Sequence, residues 1–457
     1  MSSGTTPLPP AAVTATLLPS GLAVLHLARP AKLNALDTAA CEAAGAAVRA
    51  FERDARCRGL LITGGPAPNG RPAFCAGGDV RAIRAAALAS PFPPAPPPPA
   101  PPFPPPPPSH ACERVFQAEY ALLATLAGSR LPAVCLVDGV WMGLGVGVAL
   151  AAGGGGGGRG VRVATERTLC AMPEASIGLF PDVAFAALSA AHLRPPGVGL
   201  WMGLTGGRVS GGGASVAAGL ATHALPAASL PALTAALEDA DLGGGEGTPL
   251  DLADPGAVAA GRAAAAAALV RVVEGAGGSA GPLPGEDAAS ASALSAALAS
   301  VLPLLRPVAD WAPGRGGCSS ISSALLEALA ALDGAARANP AAAAAATGMR
   351  AACPLSLALT VRLFATPSAS LVAQLATELA PAARLAGSPH FAEGVRCALV
   401  DRGAMPAWPP PGASLEGVTD ADVEALLAPL PQGGLRAAYW EGLAAPGGGG
   451  GGKYSLS

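Results

Sequence analysis

The chain has 457 residues, room for one large domain or two to three ordinary ones, with a formal net charge of −3 and a pI near 6.0. That balance excludes the basic footprint of a nucleic-acid or anionic-membrane binder. Nine cysteines with no Cys-x-x-Cys and five scattered histidines form neither a zinc-site nor a disulfide pattern, so no metal is expected and a reducing compartment suits the chain.

The opening "MSSGTTPLPPAAVTATLLPSG" lacks the basic start of a signal peptide. It has no Arg before Arg29, which makes a poor mitochondrial address, and an intracellular location is expected. Residues 13–28 read as two short strands around a Pro-Ser-Gly turn. Residues 34–55 predict a helix capped by Asp37, and 57–65 a strand ending at a glycine pair. The stretch 90–109, "SPFPPAPPPPAPPFPPPPPS", is too proline-dense for a packed core and reads as a surface insert. Residues 110–130 predict a helix, 131–139 a buried strand, and 161–174 two strands around a turn. The charge-free span 139–158 is long enough to cross a bilayer, but its ten glycines are poor helix material, so no membrane segment is expected there. From 227 to 349 the chain is Ala/Gly/Ser-rich and predicts helices with glycine spacers, and 350–445 predicts helices of more ordinary composition. Strand–turn–helix units with short apolar strands argue for an α/β layered core.

Four stretches carry the chemistry: "RPAKLNALD" (29–37), "AFCAGGDV" (73–80), "VDGVWMGLGVG" (137–147) and "MPEASIGLFPDV" (172–183). The second and third are glycine turns after a strand, where backbone N–H groups at a helix start can hold an anion or oxyanion. Two such donors on one carbonyl would supply about 3 kcal/mol each. A dinucleotide fold would need Gly-x-Gly-x-x-Gly and a distant acid, and here the last glycine comes one position early. In the fourth stretch, Glu174 and Asp182 lie among Met, Ile, Leu, Phe and Val, surroundings that raise a carboxylate's pKa.

In order and combination these stretches resemble the crotonase (enoyl-CoA hydratase/isomerase) superfamily. That resemblance implies an α/β, crotonase-type ββα spiral core over 13–226, carrying the Pro-rich insert 90–109 and a Gly-rich insert 153–158. It also implies a variable, partly helical or disordered 227–349 and a helical completion at 350–445. "RPAKLNAL" looks like the family's CoA-contacting opening, which makes Asn34, Ala35 and Leu36 substrate-binding residues. "FCAGGD" and "GLGVG" look like its two oxyanion turns, with donors at Gly78 and Leu144. The family's hydratases use two glutamates, and where the first would stand this chain has Gly147; the second aligns with Glu174. Within the family, "RVATERTLCAMPEASIGLFPDV" (162–183), "GLATHAL" (219–225) and "FAEGVRCALVDRGAMPAWPP" (391–410) are most similar to the 3-hydroxyisobutyryl-CoA hydrolase branch.

That branch implies cleavage of a 3-hydroxyacyl-CoA in valine catabolism, with coenzyme A as part of the substrate, no cofactor, and a mitochondrial site. Glu174 would act as general base or as nucleophile. Asp182 and Glu119, the latter in "FQAEYALL" (116–123), would place the acyl group and its hydroxyl. Asp79 reads as a helix cap, Cys75 as a small buried residue, and Arg29 and Lys32 as candidates for CoA phosphates. Homo-oligomerisation stays open. The departures are Leu144 for the family's middle glycine and "AFAALSAAHL" for its glycine-rich continuation after "FPDV". They keep two alternatives: a crotonase-type isomerase or hydratase, and an inactive CoA-binding scaffold.

Overall fold

A computed structural model describes residues 12–89, 110–153, 160–242, 254–313 and 318–430. The Pro-rich insert, most of the Gly-rich insert and residues 431–445 lie outside them. The two N-terminal strands, β1 (Val13–Leu17) and β2 (Leu22–Leu27), pair antiparallel about the Pro-Ser-Gly turn. Helix α1 (Thr38–Arg53) starts where expected, with the Asp37 side chain accepting from Ala40 N, and it buries Ala40, Cys41, Ala44, Val48 and Phe51 along one stripe.

A unit of two strands and a helix then winds three times. Each unit puts its first strand in a large sheet and its second in a small one. The first is β3 (Gly59–Gly64), β4 (Ala73–Cys75), α2 (Val80–Ala89) and α3 (His110–Gly128). The second is β5 (Ala133–Leu136), β6 (Val140–Met142) and α4 (Leu144–Ala151). The third is β7 (Val161–Ala164), β8 (Leu169–Ala171), a 3-10 turn over Glu174–Ile177, α5 (Phe185–His192) and α6 (Val198–Thr205). With β9 (Arg208–Ser210), α7 (Gly212–Ala217) and β10 (His223–Ala224), the sheet orders are β1-β2-β3-β5-β7-β10 and β4-β6-β8-β9. From β2 to β10 the large sheet is parallel, as are β4, β6 and β8 in the small one.

Both faces of the large sheet are covered, as parallel sheets require. Leu60 and Ile62 of β3 face the main core, while Leu61 between them points the other way, with Leu22, Val134 and Val163. That second face is sealed by α8 (Leu230–Glu238), through Leu233 and Leu237, and by α9 (Pro255–Gly275), through Ala265, Leu269 and Val273. The Ala-rich region thus supplies the cover of a sheet face, each buried Leu or Val contributing about 1.5–3 kcal/mol. Arg262, buried on α9, docks that helix on α1 by pairing with Glu52 at 3.2 Å.

The remaining helices are α10 (Glu286–Val301), α11 (Arg306–Ala309), α12 (Ile321–Ala335), α13 (Pro340–Ala351), α14 (Pro354–Ala365), α15 (Leu371–Ala386), α16 (Pro389–Val395) and α17 (Asp420–Leu427), all but the first two in the stretch after 318. Two spans, Gly256–Gly275 and Asp287–Ala309, are long and apolar enough by length and composition to cross a membrane. The charge-free span 139–158 instead holds β6 and the fully buried, eight-residue α4. Alanine is the commonest residue in both spans, but their leucines and valines carry most of the hydropathy.

Candidate active site

Three neighbouring parallel strands of the small sheet, β4, β6 and β8, end side by side, and the carboxyl ends of parallel strands are where α/β folds gather ligands. After β4 come Gly77 and Gly78, after β6 Gly143 and Leu144, after β8 Glu174. The first two turns are close: a Cβ on Gly77 would lie 3.6 Å from Leu144 N and 3.7 Å from Gly143 Cα. The N–H groups of Gly78 and Leu144 have no partner among the described residues, as expected at helix starts. Trp141 steadies the second turn by donating to Gly145 O at 2.8 Å.

The opening stretch braces the first turn. Leu36 N donates to Gly77 O at 2.9 Å and Asp79 N to Leu36 O at 2.8 Å. Asn34 is fully buried; its Nδ2 donates to Gly65 O and Ala73 O at 2.7 and 2.8 Å, while its Oδ1 accepts from Arg29 N. Ala35 O accepts from Arg29 Nη1. Asn34 therefore ties the loop to the ends of β3 and β4, Ala35 closes it on Arg29, and Leu36 holds it to the turn. Arg29 and Lys32 both bond Asp79 Oδ2, at 2.9 and 2.7 Å, and Asp79 Oδ1 accepts from Ala82 N, so this acid caps α2. Burial opposes its charge, but these bonds hold its carboxyl below the ordinary value. Cys75 is buried, with its thiol pushed up to about 12 by desolvation, and is no nucleophile at neutral pH.

Against these turns stands a cluster of buried acids. Glu174, 8% exposed, presses on the second turn: a Cβ at Gly143, where φ is +51°, would lie 2.7 Å from Glu174 Oε1. Glu119 on α3 presses on the first, with Oε1 2.5 Å from where a Gly78 Cβ would stand. Glu174 Oε2 and Glu119 Oε1 are buried, with no hydrogen-bond partner among the described residues. Asp182 accepts at 2.9 Å from the Tyr120 hydroxyl. Burial pushes Asp182 up to about 7, against the pull of that bond. Burial, then the Asp182 charge, pushes Glu174 well above the usual carboxylate range, and the same two causes with Glu174 added do so for Glu119.

The site thus brings Glu174, Asp182, Glu119, Gly78 and Leu144 together, with Asn34, Ala35 and Leu36 behind the first turn. Sequence reading missed Tyr120 and Glu378. Tyr120 follows Glu119 directly but turns to Asp182. Glu378, on α15, accepts from Ala184 N and Gln374 Nε2, both at 2.8 Å. No local signal singles out Glu378, which meets the site from 194 residues away. The seat of the first hydratase acid is filled: a Cβ on Gly147 would lie 2.8 Å from Val183 Cβ and 3.3 Å from Leu123 Cδ1. Beside the first turn, a cavity of about 330 Å³ is lined by Leu36, Asp37, Asp79, Ile83 and Arg114, among others. Among the described residues no group of three or more His, Cys, Asp or Glu is placed to hold a metal.

A family model described as enoyl-CoA hydratase/isomerase matches residues 22–253 and 318–427. The mitochondrial 3-hydroxyisobutyryl-CoA hydrolase of Gallus gallus is 32% identical over 216 residues, 47% of either chain. Small ribosomal subunit protein mS47 of Neurospora crassa is 36% identical over 216 residues, 47% of this chain and 37% of that one. The match spans about half the length of such hydrolases. Among solved structures, an enoyl-CoA hydratase from Rhodobacter sphaeroides 2.4.1 superposes with a TM-score of 0.65 at 28% identity, covering 92% of this chain and 98% of its own. A carnitinyl-CoA dehydratase from Mycobacterium thermoresistibile gives 0.64 at 28% identity, covering 92% and 96%. The α/β fold is of the crotonase type, with its C-terminal helical region, as the resemblance implied.

Proposed function

The chain belongs to the enoyl-CoA hydratase/isomerase family, and from that premise we propose that it hydrolyses 3-hydroxyisobutyryl-CoA to 3-hydroxyisobutyrate and CoA. One observation carries the reading: Glu174 is the buried carboxyl against the second turn, with its Oε2 unpartnered among the described residues, and the place of another acid at Gly147 is packed by Val183. Syn-addition of water to an enoyl thioester would have only half its acid–base pair. Thioester hydrolysis needs one.

The acyl carbonyl oxygen is held between Gly78 N–H and Leu144 N–H. Glu174 takes the proton of an attacking water, or attacks the carbonyl itself to give an anhydride that water then opens. The tetrahedral oxyanion collapses, the C–S bond breaks, and the CoA thiolate leaves and is protonated. Asp182, steadied by Tyr120, and Glu119 bind the 3-hydroxyl and acyl portion, so that orientation contributes to rate. Coenzyme A enters with the substrate, and no metal or resident cofactor has a step. The hydrolases named as mitochondrial support a mitochondrial site, and the resemblance implies a role for this reaction in valine degradation.

Free thiol released from 3-hydroxyisobutyryl-CoA by the purified protein tests this. Steady turnover that falls at least about a hundredfold in Glu174→Gln supports it; no release by the folded wild type sinks it. The likeness to a ribosomal protein favours one second reading, a scaffold that binds CoA without turning it over. CoA binding by calorimetry with no thiol release would select the scaffold.

A further inference from the structure

Val183 and Ala184 follow Asp182 in the left-handed region, with φ of +56° and +59°. Neither residue favours it. A β-branched residue with positive φ is an outlier, and strained backbone persists only where its surroundings over-determine it. Two neighbours hold this pair. Val183 drops into the space left by Gly147, and the carboxyl of Glu378 caps the backbone by accepting from Ala184 N at 2.8 Å. Glu378 is fully buried on α15, which packs against α3, the helix that carries Glu119 and Tyr120. Its other oxygen accepts from Gln374 Nε2, and Gln374 Oε1 accepts in turn from Ser368 N at 2.8 Å. The carboxyl is therefore locked in place, with both oxygens used.

We propose that Glu378 is a positioning residue: by holding Ala184 N it fixes the left-handed pair that aims Asp182 at Tyr120 and the acyl pocket. The proposal rests on the reading of Asp182 as the acid that holds the substrate hydroxyl. Two features of this chain make the device necessary. Ala184 occupies a conformation that glycine would take without strain, and the hydroxyl-binding acid stands two residues before it. Without the cap, Ala184 relaxes toward ordinary φ and Asp182 turns away from the Tyr120 hydroxyl. Glu174 and the two oxyanion turns, carried on other strands, stay where they are.

The defect is therefore selective. In Glu378→Met, kcat/KM for 3-hydroxyisobutyryl-CoA falls between about tenfold and a hundredfold, since misplacement near 1 Å costs about that much. For isobutyryl-CoA, which lacks the hydroxyl, it changes less than about threefold, because misaiming Asp182 costs that substrate little orientation. Glu378→Gln keeps one acceptor and falls between Met and wild type. Adding Ala184→Gly to Glu378→Met restores most of the lost rate, since glycine adopts the turn unaided. Equal losses on both acyl-CoAs, or a folded double variant no better than Glu378→Met, would overturn the proposal. Amide exchange over residues 182–188 reads the same hold without turnover. Faster exchange in Glu378→Gln supports the proposal, and unchanged exchange sinks it. If the wild type hydrolyses neither compound, the functional reading fails while the exchange result still decides this one.

Discussion

Four buried acids cluster at the site, and two of them are treated differently from the other two. Asp182 and Glu378 have partners: a tyrosine hydroxyl for one, a backbone N–H and a glutamine amide for the other. Glu119 and Glu174, equally enclosed, each press on a glycine turn with one oxygen bare. An unsatisfied buried polar group costs about 1–3 kcal/mol. In the proposed mechanism the bare oxygens belong to groups that meet the substrate unaided, whereas Asp182 meets it already steadied by Tyr120 and Glu378 only holds the frame.

The contrast breaks most visibly at the second turn. Gly143→Ala puts a methyl 2.7 Å from Glu174 Oε1 at a φ of +51° and displaces the carboxyl from the oxyanion donor. Thiol release should fall about 10²- to 10³-fold, the scale of losing one donor. A fall under tenfold would mean that Glu174 is not seated by that glycine. Next in size is Glu119→Gln. It removes no partnered oxygen, so the melting temperature should hold or rise while kcat/KM falls about 10- to 100-fold through orientation. A clear loss of stability would move Glu119 into the partnered class.

Asp182 sharpens the other side through pH. Burial holds its carboxyl at about 7, so the folded protein keeps a proton that the unfolded chain gives up above about pH 4. Its contribution to stability is complete below that pH and is lost as pH climbs from about 4 to about 7. Asp182→Asn escapes the loss, and its stability relative to wild type should improve steadily through that window in urea titrations. A difference that stays flat with pH would show Asp182 ionised in the fold.

Much of the candidate site was legible because its parts are local. Gly77–Gly78–Asp79 and Gly143–Leu144 are short turns that leave the N–H groups of Gly78 and Leu144 without a partner among the described residues, and Asp37 announces α1 through its own cap. What escaped the sequence is contact between distant segments. Asn34 is buried by bonds to Gly65 and Ala73, Arg29 and Lys32 are drawn to Asp79, and Glu378 reaches Ala184 from a helix with no motif. Val183 hides for the opposite reason. Its side chain argues against the left-handed backbone it adopts, and only the vacancy above Gly147 accommodates it.

One feature of the fold also sets a timetable. The turn that carries Glu174 is seated from behind by α16: a Cβ on Gly178 would collide with the His390 backbone, and one on Gly394 with that of Ile177. Ala175 O is bonded by Cys353 N. A growing chain that has emerged only to residue 350 already owns every described strand and both glycine turns, yet lacks the segment that seats the Glu174 turn from behind. In the proposed mechanism, competence to react waits for that late segment, so a chain about three-quarters made carries its binding groove before it carries its blade.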